Sequence, residues 1–331
     1  MRNVRFPSSL TLGLRAARAI VPVFACAAVV AAASAQPSGH GYFRATARPN
    51  SDWLRLAFSS RPDGDVENGA ILSDVARRDL SGASTEQLTR GHDGPVHFTL
   101  VREAGTFTFD GVVRDGAVEG TYGFVGDPRF SAALERAGFA RPTEAQRFRL
   151  AITGVSIALV DELDALGYAR PTTSDLVLLG TRGVDAAYAR SMASLADRIG
   201  SSATLAQLRE HGVDQQFVAD MERLGYTNLS ADALMKLRDA GVDSVYVNQL
   251  ADAGFIHVAA EELARARAHG VSGEFAREMR RAGYDHLSLD ELGKLKDHDI
   301  TAAFAEQVRR MASSSRPTAD DLVRAKTRGV S

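Results

Sequence analysis

A period of 29 residues constrains this chain more than any other feature. The dipeptide Gly-Val recurs at that spacing, beginning at Gly154, Gly183, Gly212, Gly241 and Gly270. Asp299-Ile300 occupies the next position, and Gly329-Val330 follows after one inserted residue. Recurrence every ~20 to 50 residues is typical of proteins built from stacked structural units. The sequence therefore predicts a repeat architecture for its C-terminal two-thirds.

A second column of glycines, each followed by an aromatic residue, lies inside the same period. Its members are Gly138-Phe139, Gly167-Tyr168, Gly225-Tyr226, Gly254-Phe255 and Gly283-Tyr284. Ala196-Asp197 and Ala312-Ser313 occupy the two remaining positions in register. Glycine suits the left-handed residue that ends many helices. Each unit should therefore contain a helix that ends at this column and a second helix that ends at the Gly-Val column.

Capping residues mark where these helices begin. A side chain that can accept a hydrogen bond from the first helical turn occurs at Asp127, Ser156, Asp185, Asp214, Asp243, Ser272 and Thr301. Thr143 with Gln146, Ser288 with Glu291 and Thr318 with Asp321 resemble capping boxes at the start of the second helix. Helices of about ten residues are marginal alone and must pack on their neighbours. Residues 127–331 are therefore predicted to form an α-solenoid of seven helix-turn-helix repeats.

Residues 40–126 show the alternation of apolar and polar side chains that is typical of strands. Val96, Phe98 and Leu100 alternate with more polar neighbours, and Asp115-Gly116 is a two-residue hairpin signal. Strands are predicted near residues 42–48, 53–59, 96–101, 106–113 and 118–124. The fold class is therefore predicted to be α+β, with a small antiparallel β-domain before the repeats.

Residues 1–35 have the features of a secretory signal peptide. Four arginines precede an Ala/Val-rich run that ends in Ala33-Ser34-Ala35, a pattern that signal peptidase cleaves. A lipid anchor at Cys26 is the less favoured alternative. The sequence predicts an exported protein, periplasmic or secreted, with no transmembrane segment in the mature chain.

Charge and motif content exclude several classes of function. Removing the four arginines of the signal segment from 39 basic residues leaves 35 against 41 acidic residues, a net charge of −6. This balance argues against nucleic acid as the partner. The sequence contains no Gly-x-Ser-x-Gly or Gly-x-x-x-x-Gly-Lys motif, and Cys26 is its single cysteine. We therefore predict a non-catalytic protein without a cofactor.

Three histidines share one repeat position, which raises the question of a metal site. They are His211, His269 and His298, and Arg182 and Arg328 occupy equivalent positions. Stacked helices lie about 10 Å apart, whereas zinc ligands lie about 2 Å from a shared ion. The column is better explained by cations that interact with the C-terminal end of a helix dipole, and no metal is predicted.

A basic column follows the second helix of each unit and is the candidate partner-binding surface. It consists of Arg209, Arg238, Arg267, Lys296 and Lys326. Such a column is most often a solvated face. The functional alternative is a series of cations that grips an extended acidic ligand.

Three segments resemble a family of exported bacterial proteins that combine a small N-terminal β-domain with tandem helical repeats of about 29 residues. They are Val96–Phe107 (VHFTLVREAGTF), Gly120–Phe124 (GTYGF) and Gly270–Tyr284 (GVSGEFAREMRRAGY). Similar repeats occur attached to membrane zinc peptidases of the antibiotic-sensor type, whose His-Glu-x-x-His motif is absent from this sequence. The resemblance implies export and architecture but no chemistry.

These observations favour a periplasmic or secreted scaffold that binds a protein or peptide through its repeat surface. Three alternatives remain open from the sequence. The chain could be an envelope-attached structural protein, a binder of polyanions or glycans, or an enzyme without a recognisable motif.

Overall fold

The computed structural model describes residues 39–48, 52–61, 71–82, 94–312 and 316–329. The predicted signal segment, including Cys26, lies outside the described residues. The described residues belong to one compact unit in which a β-sheet and a set of helices are in direct contact. The α+β class is confirmed for the described part of the chain.

Within the described residues, seven antiparallel strands form the sheet. In chain order they are β1 His40–Ala47, β2 Trp53–Ser59, β3 Ile71–Ala76, β4 Leu80–Ser81, β5 Gly94–Arg102, β6 Gly105–Arg114 and β7 Ala117–Gly126. Their order across the sheet is β3-β2-β1-β7-β6-β5-β4. The five predicted strands are confirmed. Strands β3 and β4 were not predicted, because β3 lacks a clean alternation and β4 contains only two residues.

The sheet is curled around an aromatic core. Its two edge strands, β3 and β4, are consecutive in the chain and are separated only by the 3-10 turn Arg77–Asp79. The edges must therefore approach each other. Phe43, Phe98 and Phe109 are buried on the inner face, and the Phe98 and Phe109 rings stack with centroids 4.6 Å apart.

Fifteen α-helices follow within the described residues. They are α1 Pro128–Arg136, α2 Glu144–Ile152, α3 Ile157–Ala165, α4 Thr173–Thr181, α5 Ala186–Ser191, α6 Ala196–Ile199, α7 Ser202–Glu210, α8 Gln215–Arg223, α9 Ala231–Asp239, α10 Ser244–Asp252, α11 Ala260–Ala268, α12 Gly273–Arg281, α13 Leu289–Asp297, α14 Ala302–Met311 and α15 Ala319–Thr327. Most contain nine residues.

Side-chain caps start these helices where the sequence placed them. Each of the seven predicted capping residues from Asp127 to Thr301 accepts a hydrogen bond from a first-turn amide. The three predicted capping boxes are present, and Thr172 with Asp175 forms a fourth. These bonds satisfy amide groups that have no partner inside the helix.

One helix departs from the regular pattern. After α5 the chain forms the 3-10 turn Ala193–Leu195 and then the short helix α6. The sequence has Ala196-Asp197 where five other units have glycine and an aromatic residue. The left-handed residue is instead Gly200, with φ of 68°. The missing glycine therefore coincides with a helix that is interrupted and ends later.

Packing between alternate helices buries most of the helical core. The helices α2, α4, α7, α9, α11, α13 and α15 form a row in which each contacts the next. On the other side, α1 contacts α3 and α3 contacts α5, while α10, α12 and α14 contact one another in the same order. Helices this short gain most of their stability from such contacts.

Helix α2 connects this row to the sheet. It packs on β6 and β7, and its fully buried Phe148 enters the aromatic core of the sheet. The Phe148 ring centroid lies 5.2 Å from that of Phe107 and 5.4 Å from those of Phe58 and Phe124. The Ser73 hydroxyl also donates to the Ile152 carbonyl at 3.0 Å. The sheet and the first helices therefore share one core.

We expect Phe148→Ala to lower the free energy of unfolding by about 3–5 kcal/mol, because it leaves a cavity among aromatic rings. Phe148→Leu should cost clearly less. Chemical denaturation followed by circular dichroism measures both variants. Equal, small losses for the two variants would contradict a shared core.

A pH effect should arise from Tyr122, which is buried in the sheet. Burial raises the pKa of its phenol to about 12, whereas an unfolded tyrosine titrates near pH 10. The unfolded state therefore loses this proton first, and stability should fall as the pH rises from about 10 to 12 and stay level below that range. Among the described residues the hydroxyl has no hydrogen-bond partner. Tyr122→Phe should therefore preserve stability at pH 7 and reduce the alkaline loss, measured by denaturation at several pH values.

Candidate functional site

The five cations of the predicted basic column occupy one repeated place in the fold. Each lies in the last turn of a second helix and is exposed to solvent. Each also lies over an aromatic ring of the preceding first helix. The pairs are Arg209 over Tyr188, Arg238 over Phe217, Arg267 over Tyr246, Lys296 over Phe275 and Lys326 over Phe304. We call these five pairs the cation ladder.

The geometry of the ladder is nearly constant. The cationic atoms lie 4.7 to 5.1 Å from the ring centroids, within the range of an attractive cation–π interaction. Arg209 Nε also donates to the Gly183 carbonyl at 3.1 Å, and Arg238 Nε donates to the Gly212 carbonyl at 3.0 Å. These carbonyls belong to the glycines that end the previous second helix. Arg209 and Arg238 therefore each brace the junction between two units.

The ladder has a defined beginning. In the two units before Tyr188, the ring position holds Phe130 and Leu159, and the cation position holds Ala151 and Gly180. Ala151 is fully buried in α2, the helix that packs on the sheet. A cation there would be placed in the core. The ladder therefore starts beyond the part of the helical row that the sheet covers.

Burial controls the protonation of the ladder tyrosines. It raises the pKa of Tyr246 to about 12, and the positive charge of Arg267 opposes this shift. Burial also raises the pKa of Tyr188, whose hydroxyl donates to the Val213 carbonyl at 2.8 Å. Both phenols are neutral at physiological pH. The ladder therefore presents one positive charge per unit.

Two histidines of the column, and Arg182 at the equivalent position, form a second set of contacts between units. His211 Nδ1 lies 2.7 Å from the Asp239 carboxylate, and His269 Nδ1 lies 2.9 Å from that of Asp297, each 28 residues later. Arg182 pairs with Glu210 at the same spacing. In the unit between those of His211 and His269, Ala240 takes the place of the histidine and Ala268 the place of the aspartate, so both members of the pair are missing together. These contacts join units and do not gather ligands around one ion.

A cleft of about 410 Å³ opens beside Lys296. It is lined by Ser272, Glu274, Phe275, Glu278, Lys296, Asp299, Ile300 and Thr301. The lining combines the ladder pair Phe275 and Lys296 with Asp299, Ile300 and Thr301, which lead into the next helix. We call it the Lys296 cleft. Two smaller clefts, of about 270 and 330 Å³, lie around Phe139 and Arg170.

Within the described residues, no group of three or more His, Cys, Asp or Glu side chains is arranged to hold a metal ion. No helix of that part of the chain is long and apolar enough to cross a membrane.

Comparison with known proteins gives no assignment. No family model matches this chain, and neither the curated proteins nor the solved structures include a match. The resemblance to exported repeat proteins stays an interpretation of the sequence.

The pairing of rings with cations was not predicted, although the sequence contains a signal for it. Four of the five cations follow their ring by 21 residues, and the fifth follows by 22 because of the inserted residue. Spacing alone cannot show that the end of one helix lies over the first turn of another.

The brace can be tested at Arg238. Arg238→Ala should lower the free energy of unfolding by roughly 1–2 kcal/mol, because the cation–π contact and the bond to the Gly212 carbonyl are both lost. Arg238→Lys should cost less, since Lys296 shows that an ammonium can occupy this place. Thermal and urea denaturation provide the measurement. An alanine variant as stable as wild type would mean that the contact contributes nothing.

Proposed function

We propose that this protein is a non-catalytic binding scaffold whose helices present the cation ladder to a protein or peptide partner. The observation that carries the proposal is the repetition of one exposed cation over one buried ring in five consecutive units. The rings hold the cations in a row while leaving them accessible to solvent. A row of preorganised charges binds an extended partner with little loss of side-chain entropy.

The proposal includes the architecture of the helical part. We interpret the helix pairs as seven repeats of an α-solenoid, and three features support this. The second helices form an unbroken row, the caps recur with the sequence period, and ion pairs such as His211–Asp239 connect equivalent places in neighbouring units. Stacked repeats commonly use an extended surface for binding.

A peptide suits the surface better than a uniform polyanion does. Glu274, Glu278 and Asp299 line the Lys296 cleft together with the ammonium of Lys296. These carboxylates would repel a phosphate or sulfate polymer as it followed the ladder to its C-terminal end. A peptide can present acidic, basic and amide groups in turn.

The proposed setting is outside the cytoplasm. The arginine-rich start, the apolar run and Ala33-Ser34-Ala35 support export by a cleaved signal peptide, followed by residence in the periplasm or secretion. Once the signal is removed the chain has no cysteine, so the scaffold needs no disulfide in an oxidising compartment.

A crosslinked pull-down from the envelope fraction of the source cells, with tagged mature protein as bait, tests the scaffold. The test variant carries Arg209→Gln, Arg238→Gln and Arg267→Gln, which removes three ladder charges and keeps most of the side-chain volume. We expect the wild type to retain a discrete protein and the variant to lose most of it, because a surface salt bridge contributes up to about 1 kcal/mol and three act together.

The matched control removes three exposed cations outside the ladder, through Arg136→Gln, Lys236→Gln and Arg281→Gln. This variant has the same net charge as the test variant and should retain the partner. Equal loss in both variants would indicate a general charge effect. Retention of no protein by the wild type would contradict the scaffold and favour glycan binding or a catalytic role.

A further inference from the structure

The charge of the ladder surface changes at one unit. Repeat positions equivalent to Glu274 hold Ala187, Gln216, Val245 and Ala303, none of which is charged. Positions equivalent to Glu278 hold Ser191, Asp220, Gln249 and Gln307, and Asp220 is already paired with Arg223. The unit of Lys296 is therefore the one ladder unit whose cation lies beside two exposed glutamates.

Asp299 adds a third carboxylate to the same place. The equivalent residue before it and after it is glycine, at Gly270 and Gly329. Asp299 has φ of 52°, which non-glycine residues adopt rarely, and it is one of the residues that line the Lys296 cleft. Within the described chain, Glu274, Glu278 and Asp299 form no ion pair, and neither does Lys296. One ammonium and three unpaired carboxylates thus share a cleft of about 410 Å³.

The spacing of the ladder sets the spacing of a partner that follows it. Neighbouring packed helices lie about 8–10 Å apart. A peptide in the extended polyproline II conformation advances about 3.1 Å per residue with three residues per turn, so every third side chain lies on the same side. Successive ladder cations therefore match acidic side chains on every third residue of an extended segment. At the equivalents of Ser272 and Thr301 the arginine units hold Asp185, Asp214 and Asp243, whose carboxylates accept hydrogen bonds from first-turn amides. At the equivalents of Glu274 and Glu278 these units have no unpaired carboxylate, so no free glutamate opposes an acidic side chain beside Arg209, Arg238 or Arg267.

We infer that the ladder binds an extended peptide segment with acidic residues at every third position and a basic residue at the end that reaches the Lys296 cleft. The inference rests on the proposed scaffold function and specifies the partner's chemistry. Arg209, Arg238 and Arg267 pair with the acidic side chains. Glu274, Glu278 and Asp299 bind the basic side chain. The attraction of their three negative charges exceeds the repulsion from the nearby ammonium of Lys296.

Synthetic peptides and the mature full-length protein provide the test. The probe is a fluorescent, capped peptide with the order Asp-Thr-Thr-Asp-Thr-Thr-Asp-Thr-Thr-Lys, and a second peptide has the reverse order. A composition-matched control groups the three aspartates together, and a fourth peptide replaces lysine by threonine. Binding is measured by fluorescence anisotropy at low and physiological salt. We expect one of the two spaced orders to bind at least about fivefold more tightly than the grouped control, since three pairs at up to about 1 kcal/mol each lose their register.

Asp299→Gly tests whether the cleft binds the basic end of the peptide, and it should not destabilise the fold. Glycine suits the positive φ, so this variant should melt at or above the wild-type temperature. It should weaken binding of the lysine peptide by roughly two- to fivefold and leave the threonine peptide unchanged. Glu278→Gln should act in the same direction. Arg281→Gln, which removes an exposed cation outside the ladder, should change neither affinity.

The outcomes separate this inference from the scaffold itself. Equal binding of the spaced and grouped peptides, or an unchanged lysine preference in Asp299→Gly, would contradict the inferred order of charges in the peptide, here called the charge order. Neither result would contradict the proposed scaffold function. No binding of either spaced peptide, with a protein still retained in a ladder-dependent pull-down, also overturns the charge order alone. Loss of both readouts overturns the scaffold. Tighter binding of heparin than of any peptide, with steep salt dependence, replaces both by polyanion binding.

Discussion

The contact between each short helix and its neighbours in the row is the interaction on which the remaining structure depends. Helices of nine residues bury too little surface to be stable alone. Leu205, Leu234, Leu263 and Leu292 are almost completely buried because each second helix packs on the next. The first helix of the row also needs a packing partner on its N-terminal side, where no earlier second helix precedes it. There Phe148 and the other buried side chains of α2 complete the aromatic core of the sheet, so the sheet covers a surface that would otherwise be exposed and apolar.

The ladder is a consequence of this stacking and also the basis of its proposed use. A guanidinium that rests on a ring and donates to a helix-ending carbonyl is partly immobilised, while the remainder of the group stays in solvent. Structural and binding roles are therefore compatible in one residue. The histidine and arginine pairs with acidic residues 28 positions later form a separate set of contacts. Both sets recur because each unit repeats the same junction.

Much of the architecture could be predicted from particular residues. The helix starts followed from Asp214, Ser272 and their equivalents, since a capping side chain acts on amides within its own turn. Strands β5, β6 and β7 followed from alternation and from the Asp115-Gly116 turn. Strand β4, with two residues, carried no local signal, and its pairing with β5 depends on the curl of the whole sheet. The interrupted helix near Ala196 was visible only as a missing glycine, and the shift of the left-handed residue to Gly200 was not predicted.

The features of the candidate binding surface can likewise be separated into those that the sequence determines and those that the tertiary structure determines. The sequence by itself determined the period, the caps, and the identity and order of the five ladder cations, because these are properties of local spacing. Only the tertiary structure decided that each cation lies over a ring, that His211 meets Asp239, and that Lys296 shares a cleft with three carboxylates. Those contacts join residues from different helices, and their distances depend on how helices pack, which a linear pattern of residues does not specify.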